Sequence, residues 1–188
     1  MLEGKRINLR LAEREDVPLL VEWLNDVEFA GGYQHFPDQL SKAELEKRIL
    51  EHKLYQTEWI DFIIEKKDGT KIGWTCHYIS APNFGWTEIG YAIIPSERNK
   101  GYGTEAVQML VDYLFLTREI IRIQAVINTQ DKASRRVLEK VGFKKEGALR
   151  KALWDAKGKW ADGHLYSILR EEWKEPKVLE TSHIKNKG

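Results

Sequence analysis

Apolar residues recur along this chain with two different periods. Ile7, Leu9 and Leu11 alternate with Asn8 and Arg10, which predicts a strand with one buried face. From Glu13 to Glu28 the apolar positions Val17, Leu20, Val21 and Leu24 fall at helical spacing, and the acidic Glu13, Glu15 and Asp16 suit the positive end of a helix dipole. Gly31-Gly32 closes that helix, and Gly31 to Leu40 is aromatic and irregular. Ser41 with Glu44 three residues on reads as a capping box, opening a second helix that runs to about Tyr55.

Three strands come next. Trp59 to Lys66 and Lys71 to Ser80 flank the hairpin signal Asp68-Gly69,. After a turn at Ala81 to Trp86, Thr87 to Ile94 forms the third, closed by Pro95. An amphipathic helix carries Ala106, Met109, Leu110, Tyr113 and Leu114 on one face,. Ile120 to Ile127 reads as a strand, and Asp131 to Val141 as a short helix stopped by Gly142,. Phe143 to Leu153 and Lys159 to Leu169 are two last strands around a turn at Asp155 to Gly158. The order β-α-α-β-β-β-α-β-α-β-β predicts a mixed sheet in one α/β domain over residues 1–173, with a polar tail over 174–188,.

Composition narrows the class. A chain of 188 residues, 42% hydrophobic and 31% charged, supports one core with a charged surface. No stretch approaches the ~20 apolar residues of a membrane helix. The opening MLEGKRINLR shows no signal-peptide pattern,. With a single cysteine, Cys76, the expectation is a cytoplasmic protein with no membrane partner,. Cys76 sits in an apolar run and reads as a small buried hydrophobe. The net charge of +1 gives no sign of nucleic-acid binding,. Charge is nevertheless uneven: Glu13 to Glu65 holds 13 acidic and 5 basic residues, Arg98 to Trp160 holds 14 basic and 7 acidic. Two readings stand: fields that attract a cationic and a polyanionic ligand respectively, or solvated helix faces.

The loop between the third of these strands and the amphipathic helix carries chemistry. Glycines there let a phosphate approach the backbone, and the free N–H groups of a helix start attract anions. Arg98 and Lys100 add positive charge to Gly101-Tyr102-Gly103. Neither the P-loop nor the six-residue dinucleotide pattern is present, since no Gly-Lys-Ser/Thr and no third glycine follow,. What stands here is Arg-x-x-Gly-x-Gly.

Together with Glu88-Ile89-Gly90-Tyr91 and the segment Asn128 to Phe143, this loop resembles the GCN5-related N-acetyltransferase (GNAT) superfamily, and within it the RimJ/RimL-like branch. The resemblance runs from Ile7 to Trp173. It implies a single mixed, mostly antiparallel sheet with splayed central strands, flanked by about four helices. It implies acetyl-CoA as donor, no metal, an amine acceptor, direct attack in a ternary complex, and a capacity to form homodimers. Ala92, Ile93 and Ile94 would bond the pantetheine arm. Arg98, Asn99, Lys100, Gly101, Tyr102, Gly103 and Thr104 would hold the pyrophosphate. Asn128 would meet the pantetheine, or serve only as a turn residue. Where relatives carry a second asparagine this chain has Asp131, for which helix capping is the preferred role. Many members have a tyrosine where Leu138 stands; in the RimL-like branch a serine, here Ser134, lies near the sulfur.

For the base, Glu88 shares a strand face with Gly90, Ala92 and Ile94,. Its alternatives are general base or partner in a cross-strand ion pair. His77, Glu58 and Asp61 are weaker candidates. Tyr33, His35, His77 and Tyr166 are the expected acceptor groove, with His164 beside them and Trp74, Trp86, Trp154 and Trp160 nearby. Three functions compete. One is acetylation of a protein or peptide N-terminus. A second is acetylation of a small amine such as a polyamine or aminoglycoside. The third, from another class, is a non-catalytic acyl-CoA-binding module.

Overall fold

The computed structural model describes residues 1–26, 28–29, 40–54, 57–79, 85–155 and 158–179. The expected helix stop at Gly31-Gly32, the loop bearing Tyr33 and His35, and the tail from 180 onward lie outside those residues. In chain order the elements are β1 (Leu2–Glu3), β2 (Ile7–Leu11), α1 (Val17–Asn25), α2 (Lys42–Glu51), β3 (Lys53–Leu54), β4 (Thr57–Lys66), β5 (Lys71–Tyr78), β6 (Trp86–Ile93), α3 (Tyr102–Thr117), β7 (Arg122–Asn128), α4 (Lys132–Val141), β8 (Lys144–Trp154) and β9 (Trp160–Leu169). The strands form one sheet in the order β1-β2-β4-β5-β6-β7-β9-β8, with β3 beside β4. Among the described residues all strand pairings are antiparallel except β6 with β7. This is the α/β architecture expected from the sequence.

Two helices differ in extent from the sequence reading. Residues Arg14–Asp16 make a single tight turn, and α1 begins only at Val17. Pro18 lacks an N–H and fits a helix only in its first turn, which fixes that start. Helix α2 keeps its Ser41–Glu44 capping box but stops at Glu51, because His52 turns left-handed at φ 50°,.

Alternation along the strands divides the core between two faces. Phe62 and Ile64 of β4 pack with Ile89, Leu110, Leu114 and Leu138 on the side of α3 and α4. Ile63, between them, packs with Leu20, Leu24, Leu45 and Trp74 on the side of α1 and α2. Each such aliphatic side chain stabilises the fold by ~1.5–3 kcal/mol relative to exposure. Beneath α2, Arg48 and Asp61 form an ion pair at 3.0 Å with both side chains 1% exposed. The indole N–H groups of Trp59 and Trp74 also donate to Asp61, at 3.0 and 2.7 Å.

The packed chain extends beyond Trp173. Buried Asp112 of α3 accepts from the Trp173 indole (2.9 Å) and from the backbone N–H groups of Lys177 (3.0 Å) and Val178 (2.9 Å). Leu179 reaches the core.

The feature that positions the site is a break in the sheet. Strands β6 and β7 pair only at Trp86–Arg122, Thr87–Ile123 and Glu88–Gln124. Beyond that last rung they part, while β6 stays paired with β5 as far as Ile93 and β7 with β9 as far as Asn128. Since Ile94 N–H donates to Ile72 on the β5 side, alternation turns the backbone groups of Ile89, Tyr91 and Ile93 toward the gap.

Candidate active site

Two cavities flank this gap. One, of about 870 Å³, is lined by Tyr91, Ala92 and Ile93 of β6, by Glu97, the loop and first turn of α3 (Arg98, Asn99, Gly101, Tyr102, Gly103, Thr104), by α4 with its cap Asp131, and by Asp26, Glu28 and Phe29 after α1. Gly101 precedes α3 with φ 86°, a left-handed conformation that favours glycine,. Its lack of a side chain means that nothing caps the helix start, so the N–H groups of Tyr102, Gly103 and Thr104 sit at the cavity wall without a side-chain cap,. Arg136 and Lys140, one turn apart on α4, add positive charge there. The donor set of this cavity fits a polyanion carrying an extended arm.

The loop is braced from behind. Arg6 donates to Glu105 of α3 (2.8 Å) and to the Lys100 carbonyl (2.8 Å), and its guanidinium lies over the Tyr102 ring. A Cβ at Gly101 would stand 3.1 Å from the Arg6 guanidinium.

Several expected contacts are placed differently. Arg98 uses its guanidinium on main-chain carbonyls: Ile93 at 2.9 Å, Glu28 at 2.6 Å and Phe29 at 3.1 Å. It clamps the end of β6 to the segment after α1. Lys100 pairs with Glu97 at 3.1 Å and does not line the cavity. Ile94 and, by the same alternation, Ala92 turn their backbone groups to β5, so of the three expected residues only Ile93 faces the gap, joined by Tyr91,. Asn128 makes a turn, its Oδ1 accepting from Gln130 N–H at 2.9 Å, and is among the lining residues of neither cavity. Asp131 caps α4 by accepting from Ser134 N–H at 2.9 Å. Leu138 is fully buried in the core.

The second cavity, of about 600 Å³, opens on the α1/α2 face of the sheet. Trp59, Trp74 and Tyr78 come to it from β4 and β5, Leu153, Trp154 and Trp160 from β8 and β9, and Glu88 lies at its floor. Glu88 accepts from the Tyr78 hydroxyl (2.6 Å) and from the Gln124 amide (2.9 Å). These are neutral donors, so the cross-strand ion pair considered for Glu88 is replaced by a hydrogen-bonded carboxylate. Tyr91 and Ser134 line both cavities, and the Tyr91 hydroxyl donates to the Ser134 carbonyl at 3.2 Å. They mark where the two cavities meet.

Other candidates lie elsewhere. His77 alternates to the α3 face, fully buried between Phe62 and Tyr113. Burial, with Arg118 as a second cause, lowers its pKa to about 3. Tyr166 is core on that same face, its hydroxyl donating to Glu139 at 3.3 Å, and His164, two residues back, shares its side of β9,. None of these three lines the acceptor side of the gap. Glu58 is paired with Arg118 and Asp61 with Arg48. Trp86 lines neither cavity. Burial pushes the Cys76 thiol well up, as suits an inert core residue,. Tyr33 and His35 lie outside the described residues.

Part of the acidic stretch from Glu13 to Glu65 is neutralised by ion pairs. Asp16 pairs with Arg10 (2.8 Å) and Lys71 (2.6 Å), and Glu65 with Arg10 (2.9 Å). Burial alone would raise the Asp16 pKa; Arg10 and Lys71 overcome that and lower it to about 2.

Residues 6–144 match the acetyltransferase (GNAT) domain family. The chain belongs to the GNAT acetyltransferase family. It is 30% identical over 175 residues to the uncharacterized N-acetyltransferase p20 of Bacillus licheniformis, covering 92% of this chain and 97% of that one. Its fold is similar to RimJ of Mycobacterium smegmatis in complex with CoA-disulfide, with TM-score 0.79 and 23% identity over 93% of this chain and 90% of that one. It is also similar to spermidine N-acetyltransferase of Vibrio cholerae in complex with CoA and spermine, with TM-score 0.78 and 21% identity over 89% and 97% of the two chains. The chain is an acetyl-CoA-dependent N-acetyltransferase. Among the described residues no helix is long and apolar enough to cross a membrane.

Five lining residues were not legible as such in the sequence: Tyr91, Trp59, Tyr78, Arg136 and Lys140. The last two stand at i and i+4 on an amphipathic helix, a spacing that puts both on one face. For Trp59 and Tyr78, facing rungs of an antiparallel pair, the signal appears only once the register is fixed.

Proposed function

We propose that the larger cavity holds acetyl-CoA and the smaller one the acceptor amine, which attacks the thioester directly where Tyr91 and Ser134 meet both. The shared lining carries this reading, because it lets a donor and an acceptor approach the same point from opposite faces of the sheet. Bound acetyl-CoA supplies the acetyl group as an activated thioester. Gly101 to Thr104 bind its pyrophosphate, with Arg136 and Lys140 adding charge. Glu88 takes the proton from the ammonium, oriented for that by Tyr78 and Gln124. The backbone N–H groups of β6 that face the gap stabilise the developing oxyanion. The nitrogen's second proton passes to the departing thiolate, which the Ser134 hydroxyl hydrogen-bonds in place of the tyrosine common in the family.

The acceptor is a protein or peptide N-terminus, as in the RimJ/RimL-like branch. Trp160, 57% exposed at the rim, supports this: the chamber is open at that side, so a chain can trail out. A small amine is the second reading, favoured by a volume of about 600 Å³ that could take such a molecule whole. The test is thiol release from acetyl-CoA against N-terminal peptides, polyamines and aminoglycosides. Robust transfer to peptides supports the first reading. Transfer to small amines alone replaces it with the second. Tight acetyl-CoA binding without transfer to any amine would point to a binding module and defeat both.

A further inference from the structure

We infer that the acceptor chamber selects an amine carried on an aromatic body with no second positive charge, such as an arylalkylamine or a peptide whose first residue is aromatic. This rests on the acetyl-transfer reading above and narrows its acceptor.

The chamber's walls come from both halves of the divided sheet, and both are aromatic. On the β6 side, Trp59 stacks on Tyr78 with ring centroids 4.3 Å apart and planes within 5°. On the β7 side, Trp154 meets Trp160 edge-on at 5.2 Å and 76°. The first wall is held in place before any ligand arrives. The indole N–H groups of Trp59 and Trp74 share Asp61 Oδ1, and Asp61 is itself gripped by Arg48 through two bonds of 3.0 and 3.1 Å. The Arg48 guanidinium also lies over the Trp59 ring, 5.0 Å from its centroid, so that ring is held between Arg48 and Tyr78. An aromatic body entering the chamber packs against walls that need no ordering first.

The charge count argues against a polycation. Glu88 is the only carboxylate among the described lining residues. Asp61, which holds the Trp59 and Trp74 indoles, is buried and neutralised by Arg48. Beside Trp154 and Trp160, Asp155 and Asp162 accept from the backbone N–H groups of Lys159 and Lys151. Glu58, Asp16 and Glu65 are paired with Arg118, Arg10 and Lys71. The residues outside the described ones contain two acids, Asp38 and Glu180. Glu88 can therefore receive one ammonium, and the Arg48 guanidinium over the Trp59 ring repels another,. A second or third ammonium on the same ligand would lose water inside the aromatic chamber without a partner.

The test compares tryptamine and a Trp-first dipeptide with spermidine, kanamycin and an Ala-first dipeptide. It uses acetyl-CoA-dependent thiol release, with calorimetric binding of each amine to the protein–CoA complex in parallel. The expected result is kcat/KM and affinity about tenfold or more higher for the aromatic amines than for either polycation. Comparing tryptamine with the Trp-first dipeptide then tells a small amine from a peptide end. Trp160→Ala, at an exposed position that leaves folding intact, is expected to raise KM for tryptamine about tenfold with kcat little changed. Trp154→Ala should do the same. Preference for spermidine or kanamycin, or no aromatic preference, overturns the inference while leaving acetyl transfer standing. If no amine is acetylated, acetyl transfer fails and the binding comparison decides the inference alone: aromatic amines tighter supports it, equal or reversed affinity overturns it.

Discussion

The Gln124 amide donates to Glu88 Oε2 at 2.9 Å across the last rung that joins β6 to β7. The carboxylate read as the base is thus fixed at the point where the sheet divides. Glu88→Gln should lower kcat/KM by about 100-fold or more. Gln124→Leu should lower kcat by about tenfold while leaving acetyl-CoA affinity unchanged. Both follow from pH–rate profiles; wild-type rates in Glu88→Gln across pH would remove it as base.

Ser134→Ala should lower kcat by about tenfold or more without changing KM for acetyl-CoA, because the hydroxyl acts on the leaving thiolate and not on the bound nucleotide. Unchanged turnover would assign Ser134 to the structure of α4 alone.

Arg98→Lys should destabilise the fold by about 1.5–3 kcal/mol, since a lysine cannot reach the Ile93, Glu28 and Phe29 carbonyls together,. KM for acetyl-CoA should rise along with it as the end of β6 loosens. Thermal unfolding and donor titration check this; a higher KM at wild-type stability would instead mean that Arg98 meets the donor directly.

Gly101→Ala should cost about 1–2 kcal/mol from the left-handed conformation at φ 86° and should weaken acetyl-CoA binding,. The same variant also crowds Arg6 at 3.1 Å, so an Arg6→Ala background should recover part of the stability but not the backbone strain. Denaturant midpoints of the single and double variants separate the two.

His77 titrates at about 3 in the fold against an ordinary value of 6.5. Between those pH values the unfolded chain binds a proton that the folded chain does not, so stability falls as pH falls, by up to ~1.4 kcal/mol per pH unit. Among the described residues neither ring nitrogen has a hydrogen-bond partner, and His77→Phe should therefore fold well between Phe62 and Tyr113 and show a flatter loss below pH 6.5. An unchanged slope would assign the acid sensitivity to other groups.

Local rules made most of the fold readable. Alternation placed β2, the Asp68-Gly69 hairpin signal placed β4 and β5, and the Ser41–Glu44 pair placed the start of α2. The loop from Arg98 to Thr104 was recognisable because glycines, a strand and a helix start lie adjacent in sequence. What was not readable depends on pairing between distant segments. His77 and Tyr166 fell on the wrong face because a period of two fixes which residues share a side, and not which side receives the ligand. Arg98 was read as a phosphate ligand because sequence cannot show that the carbonyls of Glu28 and Phe29, about 70 residues away, would use its fork first. Asp112 drew no notice, since its partners beyond Trp173 looked like a polar tail.

The parting of β6 and β7 leaves each strand with an outer neighbour and without an inner one over Ile89–Ile93 and Ala125–Asn128. A molecule whose arm carries its own amides can serve as the missing strand. Donor occupancy then becomes visible as slowed exchange of amide hydrogens along those two segments, so the state of the site can be followed in the backbone itself, without an acceptor and without turnover.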